Sequence, residues 1–368
     1  MSCEPGLRVL IIGPARSVAL EQWVEEMEAR GHTIAVLSPD VPRPALERVT
    51  ETTEAGPRIP LLRFLARILR VRAAVRAFAP DVVHGHGASD YGLWAVLSGH
   101  SRVLVTCWGS DVLVGPRRSP RSRWKVRYAL THARYVTATS ETLLEAARAL
   151  AGRHLDGEAL SWGVDTGIFY PATEPREAAP LVFLSLRALE PLYNIDAIIR
   201  AFARIDRNGD TVQLIVAGRG SQDVVLETLA EELGASDSIR FVGWVDQSRL
   251  PDLYRNADVY LSVPSSDASA VSNMEAMASG LGIIVADLPS TREWIRDEEE
   301  GLLVKPGNVN DIHDAMLRLM HDEAMRRRLG EGARVRIEMI GQRSHLMDRA
   351  SELYKQLSAP SGDGEVVK

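Results

Sequence analysis

Residues 181–220 read LVFLSLRALEPLYNIDAIIRAFARIDRNGDTVQLIVAGRG. LVFLSLR (181–187) is a short apolar run of strand type. NIDAIIRAFARI (194–205) repeats its apolar positions at helical spacing, and TVQLIVAGRG (211–220) is a second strand run ending in a glycine turn. Strand, helix and strand in succession build a parallel sheet with helices on both faces. The same grammar continues downstream: helix 224–234, strands at 238–245, 258–265 and 282–287, and helices near 291–297 and 309–330.

Upstream, the alternation is already present. LRVLIIG (7–13) reads as a buried strand, SVALEQWVEEMEARG (17–31) as a helix closed by glycine, and HTIAVLSPD (32–40) as the next strand. Residues 41–60 read as a loop. DVVHGH (81–86), RVLVTCWGSD (102–111) and 134–139 read as further strands, with helices between them. DTGIFYPATEPREAAP (165–180) carries three prolines and has linker chemistry. A chain of 368 residues is too long for one typical core. The expected fold is therefore α/β, with two doubly wound domains and a hinge near 165–180. The boundaries are 1–170, 171–345 and a C-terminal piece, 346–368, made of a helix able to pack back on the first domain and a disordered tail. Such sheets bind ligands beyond the carboxyl ends of their strands. Two domains facing a central cleft suit two substrates.

Composition narrows the classes. The opening MSCEPGLRVLIIGP has no basic segment before its apolar run, so a first buried strand is expected rather than a signal peptide. No apolar run approaches bilayer length, and two cysteines form neither a metal pattern nor a disulfide framework, as suits a reducing cytoplasm. The net charge of −6 is unevenly spread. Residues 61–80 hold five arginines and no acid, and residues 115–134 hold seven basic residues and no acid. Two readings stand: solvated helix faces, or a positive face centred on Arg67, Arg70, Arg118 and Arg121 that docks on an anionic membrane or acceptor. Nucleic acid is not an expected partner of an acidic chain without an aromatic-rich binding motif.

The stretch SSDASAVSNMEAMASG (265–280) places Asp267 and Glu275 eight residues apart around a loop of small side chains. A strand ending near Pro264 leads through this loop into a helix starting near Val271. Backbone amides at such a helix start, with the helix dipole, attract phosphate. A carboxylate suits sugar or ribose hydroxyls instead. Carboxylates flanking a phosphate nest match a nucleotide-sugar. On spacing alone the ordinary reading comes first, a solvated loop with a dipole-satisfying Glu275, because D-x7-E is a weak pattern.

Glu275-Ala-Met-Ala-Ser-Gly280 resembles the second half of the E-x7-E motif of retaining glycosyltransferases of family 4, which have the GT-B fold, and Asp267 stands where the first Glu usually does. The resemblance spans nearly the whole chain, through RGHTIAVLSP (30–39), DVVHGHG (81–87), WGSDVL (108–113), WGVDTGIFYP (162–171), VAGRGSQ (216–222), FVGWV (241–245) and EGLLVKPGN (300–308). It implies a metal-independent, hexosyltransferase-like enzyme that moves a sugar from a nucleotide-sugar to an acceptor hydroxyl with retention. No cofactor is implied, and a UDP-sugar is favoured over a GDP-sugar as substrate. Glu275 would hold the ribose, Asp267 would face the donor sugar, and the amides of Ser269, Ala270 and Val271 would meet the diphosphate. Arg187 would neutralise phosphate charge, Gly218 and Gly220 would shape a turn near the nucleotide, and the backbone at Trp244 and Val245 would contact the base.

This chain departs from the family pattern in places. Tyr193 in EPLYNID occupies the usual position of a phosphate-binding lysine, and Trp108 the usual position of a histidine. Arg16, on the loop after the first strand, is a candidate replacement cation. His84, His86, Trp108 and Asp111 are acceptor or cleft candidates, each with a structural alternative: strand-end polar residues for the histidines, a helix cap for Asp111. His132, His154 and Asp165 read as structural. The acceptor is small or lipid-linked, and the expected location is the cytoplasm, including the inner membrane face. Two rival readings are a nucleotide-sugar epimerase of the same fold class, using His84 or His86 as acid and base, and a non-catalytic GT-B subunit.

Overall fold

The computed structural model describes residues 6–38, 49–52, 60–173, 180–205 and 212–359. The tail from 360, linker residues 174–179 and most of the loop expected over 41–60 lie outside the described residues. Chain contacts separate two compact units, Met1–Ser161 with His345–Lys368, and Trp162–Ser344.

In the first unit, β1 (Arg8–Ile12), β2 (Thr33–Ser38), β3 (Val49–Thr52), β4 (Val82–His86), β5 (Val103–Cys107), β6 (Tyr135–Ala138) and β7 (Gly157–Ala159) form one sheet. Their order is β3-β2-β1-β4-β5-β6-β7, and every pairing is parallel. The chain runs outward from β1 in one direction and from β4 in the other, so a crevice opens between the carboxyl ends of β1 and β4. Val9, Leu10, Ile11, Val82 and Val83 are wholly buried, as expected of central parallel strands covered on both faces. The sequence pattern reads 41–60 as loop, yet Val49–Thr52 is an edge strand paired with β2 alone. Val-Thr-Glu-Thr carries no apolar run for the pattern to detect.

In the second unit, β8 (Leu181–Leu186), β9 (Val212–Ala217), β10 (Ile239–Gly243), β11 (Val259–Ser262), β12 (Gly282–Ala286) and β13 (Leu302–Val304) are again all parallel, in the order β10-β9-β8-β11-β12-β13. Side chains alternate between two cores. Phe183, Leu214, Val216, Val259, Leu261 and Ile284 enter one. Val182, Leu184, Ile215, Tyr260, Ile283 and Val285 enter the other. That is the period of two expected of strands packed on both faces. Helix Ile195–Ala203 covers the first core with Ile195, Ile198, Ile199 and Phe202, spaced for one helical face. The crevice of this sheet lies between β8 and β11.

The units part at Ser161/Trp162 rather than at 170/171. Residues 162–170 are tied into the second unit: the Val164 amide donates to the Gly341 carbonyl at 2.9 Å, and the Arg343 amide to the Val164 carbonyl at 3.0 Å. Phe169 lies in the second core, and Arg334 Nη1 donates to the Phe169 carbonyl at 2.7 Å.

The last helix, Arg343–Ser358, belongs for most of its length to the first unit. Met347, Ala350, Leu353 and Tyr354 are buried there. The Tyr354 hydroxyl accepts from Trp23 Nε1 at 2.9 Å and hydrogen-bonds His84 Nδ1 at 2.6 Å. His32 Nε2 and Ser351 Oγ are 2.7 Å apart, and Arg349 Nη2 meets Glu158 at 2.8 Å. Removing the one hydroxyl, by Tyr354→Phe, leaves two buried polar groups without their shared partner. The expected cost is about 1–3 kcal/mol, read as a lowered urea midpoint for the first unit's transition. A midpoint equal to that of the unmutated chain would show that the network contributes nothing.

Candidate functional site

The sequence-selected residues of the second unit gather at the carboxyl ends of its strands. Arg187 follows β8 directly, and Asp267 lies on the loop after β11, so both stand at the β8/β11 crevice. Arg187 Nη2 is 2.7 Å from Asp267 Oδ2, with both side chains mostly buried. The contact is a close ion pair rather than an aligned hydrogen bond. Arg187 Nη1 also reaches Ser262 Oγ at 3.4 Å, and its guanidinium carbon lies 4.4 Å from the Tyr193 ring centre. Burial works against the charged guanidinium, but Asp267, with Tyr260 and Tyr193, more than offsets it and holds the pKa above its ordinary value. Arg187 is a permanent cation in a partly desolvated place.

Tyr193 ends a short 3-10 turn, Pro191–Tyr193, and Asn194 follows with a left-handed φ of 52°. Asparagine tolerates this region better than most residues. Asn194 Nδ2 donates to the Val263 carbonyl at 2.8 Å and to Ser265 Oγ at 3.0 Å, while the Ser265 amide donates to the Leu192 carbonyl at 2.9 Å. The loop carrying Asp267 is thus fastened to the loop carrying Tyr193. Ser290 Oγ fastens it from the other side, donating to the Asp267 carbonyl at 2.7 Å.

The loop leads into helix Val271–Ala278, whose N-cap, Ala270, offers no side-chain cap. Ser269, Ala270 and Val271 are half-buried at this start. Glu275 is 6% exposed, and Tyr254 donates to its Oε2 at 2.9 Å. The other carboxylate oxygen has no partner among the described residues. The Glu275 carboxyl is pushed up to about 7, by burial first, with the Tyr254 hydroxyl and the Arg343 charge pulling it back. Tyr254 and Arg343 are residues that the motif does not reveal, because they come from elements distant in sequence.

Gly218 and Gly220 are required by close backbone approach. A Cβ at Gly218, whose φ is +141°, would lie 2.1 Å from the Arg187 carbonyl oxygen, and one at Gly220 would lie 2.2 Å from that of Leu189. Glu190 locks the same turn: the Ser221 amide donates to it at 2.8 Å and the Ser221 hydroxyl at 2.5 Å. The Gly218 amide donates to the Gly243 carbonyl at 2.8 Å, which sets the turn beside Trp244 and Val245. Trp244 is 70% exposed and Val245 half-buried; no described contact joins either to Arg187, Asp267 or Glu275.

The first unit sorts its candidates differently. His84 is wholly buried, with Nδ1 on Tyr354 and Nε2 2.7 Å from Thr106 Oγ1. It is a core histidine and not a cleft residue, which corrects the sequence expectation: the alternation along β4 turns it inward against Trp23. His86 is 2% exposed between Trp23 and Trp108, with ring centres 5.1 and 5.6 Å away. Burial pushes His86 down to about 3 and, with the neighbouring His86 as a second cause, keeps His84 well below the ordinary range, so both are neutral at pH 7. Asp111 accepts from the amides of Ala88 at 2.7 Å, Trp108 at 3.0 Å and Gly109 at 2.9 Å. It clamps the β4 and β5 loops together. Burial raises its pKa, and the amides partly offset this. Arg16 is exposed on the loop after β1, and Trp108 is half-buried.

Two family descriptions match this chain: "Glycosyl transferases group 1" over residues 170–336, and "Glycosyl transferase 4-like" over residues 8–140. A phosphatidyl-myo-inositol mannosyltransferase of Mycobacterium leprae is 25% identical over 83% of this chain and 84% of its own length. A D-inositol 3-phosphate glycosyltransferase of Salinispora arenicola is 27% identical over 74% of this chain and 68% of its own. Among solved structures, the Anabaena protein HepE in complex with UDP superposes with a TM-score of 0.80 at 17% identity, covering 95% of this chain and 100% of that one. Sucrose-phosphate synthase from Thermosynechococcus elongatus gives 0.78 at 20% identity, covering 95% and 99%.

Glu275 generates a pH prediction. Its folded-state pKa, about 7, lies above the ordinary value of 4.5. The folded unit therefore holds a proton that the unfolded chain has released. This contribution to stability is full below the unfolded pKa and is lost as pH rises through the folded one, by up to about 3 kcal/mol. Glu275→Gln should be more stable than the unmutated chain at about pH 8 and equal to it near pH 4. Thermal unfolding across that range checks this; parallel curves would disprove the buried-acid assignment.

Proposed function

The chain belongs to the family 4 type of glycosyltransferases, with the two-domain Rossmann-like GT-B fold, and on that premise we propose how its residues divide the transfer of a sugar from a nucleotide-sugar donor. The observation that carries the reading is the Arg187–Asp267 pair at the β8/β11 crevice, ahead of the helix bearing Glu275. Sugar and diphosphate meet at one anomeric oxygen, so the groups that hold them must be neighbours, and these are 2.7 Å apart. Arg187 meets the diphosphate together with the amides of Ser269, Ala270 and Val271. Asp267 accepts from sugar hydroxyls. Glu275 accepts from the ribose through the oxygen that Tyr254 leaves open. Gly218 and Gly220 let the backbone approach the nucleotide, with the base toward Trp244 and Val245.

Transfer proceeds with retention and without a metal. The bond from the anomeric carbon to the diphosphate oxygen breaks, the bond to the acceptor oxygen forms on the same face, and the acceptor's proton passes to the departing phosphate oxygen. Charge growing on that oxygen is met by Arg187 and the helix start, which is electrostatic catalysis. Uridine is the favoured base, supported by the UDP held in the Anabaena neighbour. The glycosyl transferase descriptions that match both halves of the chain support sugar transfer over the epimerase alternative.

The acceptor is assigned to the first unit. The inositol-bearing names of the relatives favour a polar hydroxylated acceptor, either small or on a lipid. No helix among the described residues is long and apolar enough to cross a membrane. A peripheral contact at the cytoplasmic membrane face is supported by helix Pro60–Phe78, where Leu62, Leu65 and Leu69 are 46%, 47% and 66% exposed on one face beside arginines. Trp124, on helix Pro120–His132, is 53% exposed among basic residues. Arg67 does not join that outer face, since it turns into a cavity described below.

Arg187→Ala should lower kcat and weaken nucleoside diphosphate binding more than Arg187→Lys does, while Glu275→Ala should chiefly raise donor KM, by roughly ten- to a hundredfold for one charge-assisted hydrogen bond. Equal diphosphate affinity in Glu275→Ala and the unmutated chain would remove the ribose role. Tyr193→Lys sets a second cation against Arg187, so it should lower the melting temperature of the unliganded protein and raise its affinity for UDP; no gain in affinity would place Tyr193 away from the phosphates.

Flotation with anionic vesicles checks the membrane contact. Binding should fall steeply with salt, by about 1 kcal/mol per basic residue engaged, and be lost when Arg70, Arg118 and Arg121 are changed to Glu. Protein that stays wholly in the aqueous fraction at low salt would exclude this contact.

A further inference from the structure

A cavity of about 180 Å³ opens in the first unit beyond the ends of β1 and β2, where Ile12, Leu37 and Ser38 form its floor. Helix Pro60–Phe78 supplies Arg67 to its wall, and the start of helix Asp90–Leu97 supplies Ser89, Asp90 and Tyr91. It therefore sits at the β1/β4 switch point of this sheet, where doubly wound folds take ligands.

Arg67 is the unusual residue of this lining. It is half-buried, and its Nε is buried with no hydrogen-bond acceptor among the described residues. The acid on the same wall, Asp90, is held by Lys125 at 2.5 Å. Arg67 instead lies with its guanidinium carbon 5.9 Å from the Trp94 ring centre, and Trp94 packs against Phe64 at 5.2 Å. That aromatic wall fixes the guanidinium without satisfying its donors. A cation drawn partly out of water with a buried N–H unmet is a costly arrangement unless an anion completes it. The guanidinium fork matches phosphate oxygens. The start of helix Asp90–Leu97 adds a favourable dipole on the same side. The cavity has the volume of roughly six waters, enough for a phosphate and the first atoms of its carrier.

We propose that this cavity is an anion subsite for the acceptor, in which Arg67 holds a phosphate group carried by the acceptor molecule. The assignment rests on the reading of the first unit as the acceptor unit. The phosphate belongs either to a soluble phosphorylated polyol or to a phospholipid headgroup. Both present the same oxygens to Arg67.

The test titrates the full chain with glycerol 3-phosphate, with glycerol, and with UDP, and repeats each titration on Arg67→Gln and Arg67→Lys. The expected result is binding of glycerol 3-phosphate but not glycerol, weakened roughly ten- to a hundredfold in Arg67→Gln and less in Arg67→Lys. UDP should bind all three proteins alike, which shows that the donor unit is intact, and an unchanged urea transition of the first unit in Arg67→Gln and Arg67→Lys shows that the unit carrying the substitution is folded. Sedimentation with phosphatidylcholine vesicles, with and without phosphatidylinositol, separates the sources. Arg67-dependent binding to the phosphatidylinositol vesicles that glycerol 3-phosphate displaces supports the subsite with a lipid carrier; glycerol 3-phosphate binding without vesicle binding supports it with a soluble one. Equal glycerol 3-phosphate affinity in the unmutated chain and Arg67→Gln overturns the proposal, as does the absence of any binding to glycerol 3-phosphate or phosphatidylinositol vesicles while UDP binds. Failure of UDP to bind the unmutated chain would strike the donor assignment instead, whatever the phosphate arms show.

Discussion

Arg187 carries a permanent charge inside the second unit, and Asp267, 2.7 Å away, compensates it. A guanidinium drawn out of water needs such a counter-charge, and the counter-charge must be held where it is. That requirement explains the surrounding polar contacts. Asn194 ties the Asp267 loop to the turn before helix Ile195–Ala203, and Ser290 ties its far side. Tyr193 covers the flat face of the guanidinium. Glycines at 218 and 220 bring the neighbouring turn against the Arg187 and Leu189 carbonyls. A parallel sheet places all these loops at one edge, so a single ion pair can organise elements distant in sequence.

Much of this arrangement is legible in the sequence. Alternating strand and helix patterns between 181 and 287 identify a doubly wound sheet, because buried parallel strands need continuous apolar runs. The pairing of Asp267 and Glu275 around small residues points to a loop entering a helix, and the chain folds that way. The hydrogen-bond partner of Glu275 was not readable. Tyr254 comes from a preceding helix, and nothing in local spacing ties it to a carboxylate twenty-one residues later. The edge strand Val49–Thr52 is likewise not legible locally, since Val-Thr-Glu-Thr has no apolar run and only its pairing with β2 makes it a strand.

The first unit shows the limit more plainly. A histidine near the end of a strand serves equally as a core residue or a ligand contact, and composition does not choose. Tyr354 and Thr106 decide the matter for His84 by occupying both ring nitrogens, and one of them lies 270 residues away. Arginines spaced along an amphipathic helix look alike in sequence. Only the packing of helix Pro60–Phe78 against Trp94 separates Arg67, which faces a cavity, from the arginines of the outer surface.

The path of the chain also bears on the order of assembly. Trp162–Ser344 is one uninterrupted segment, whereas the first unit needs residues from both ends of the chain. Trp23, His32 and His84 meet partners at positions 351 and 354, which follow the whole of the second unit in the chain. During synthesis from the N-terminus, the second unit therefore has its whole sequence before the first can seat its final helix. Until then Trp23, His32 and His84 lack the partners that residues 351 and 354 supply, and the apolar side chains of Met347 and Leu353 are missing from the first core.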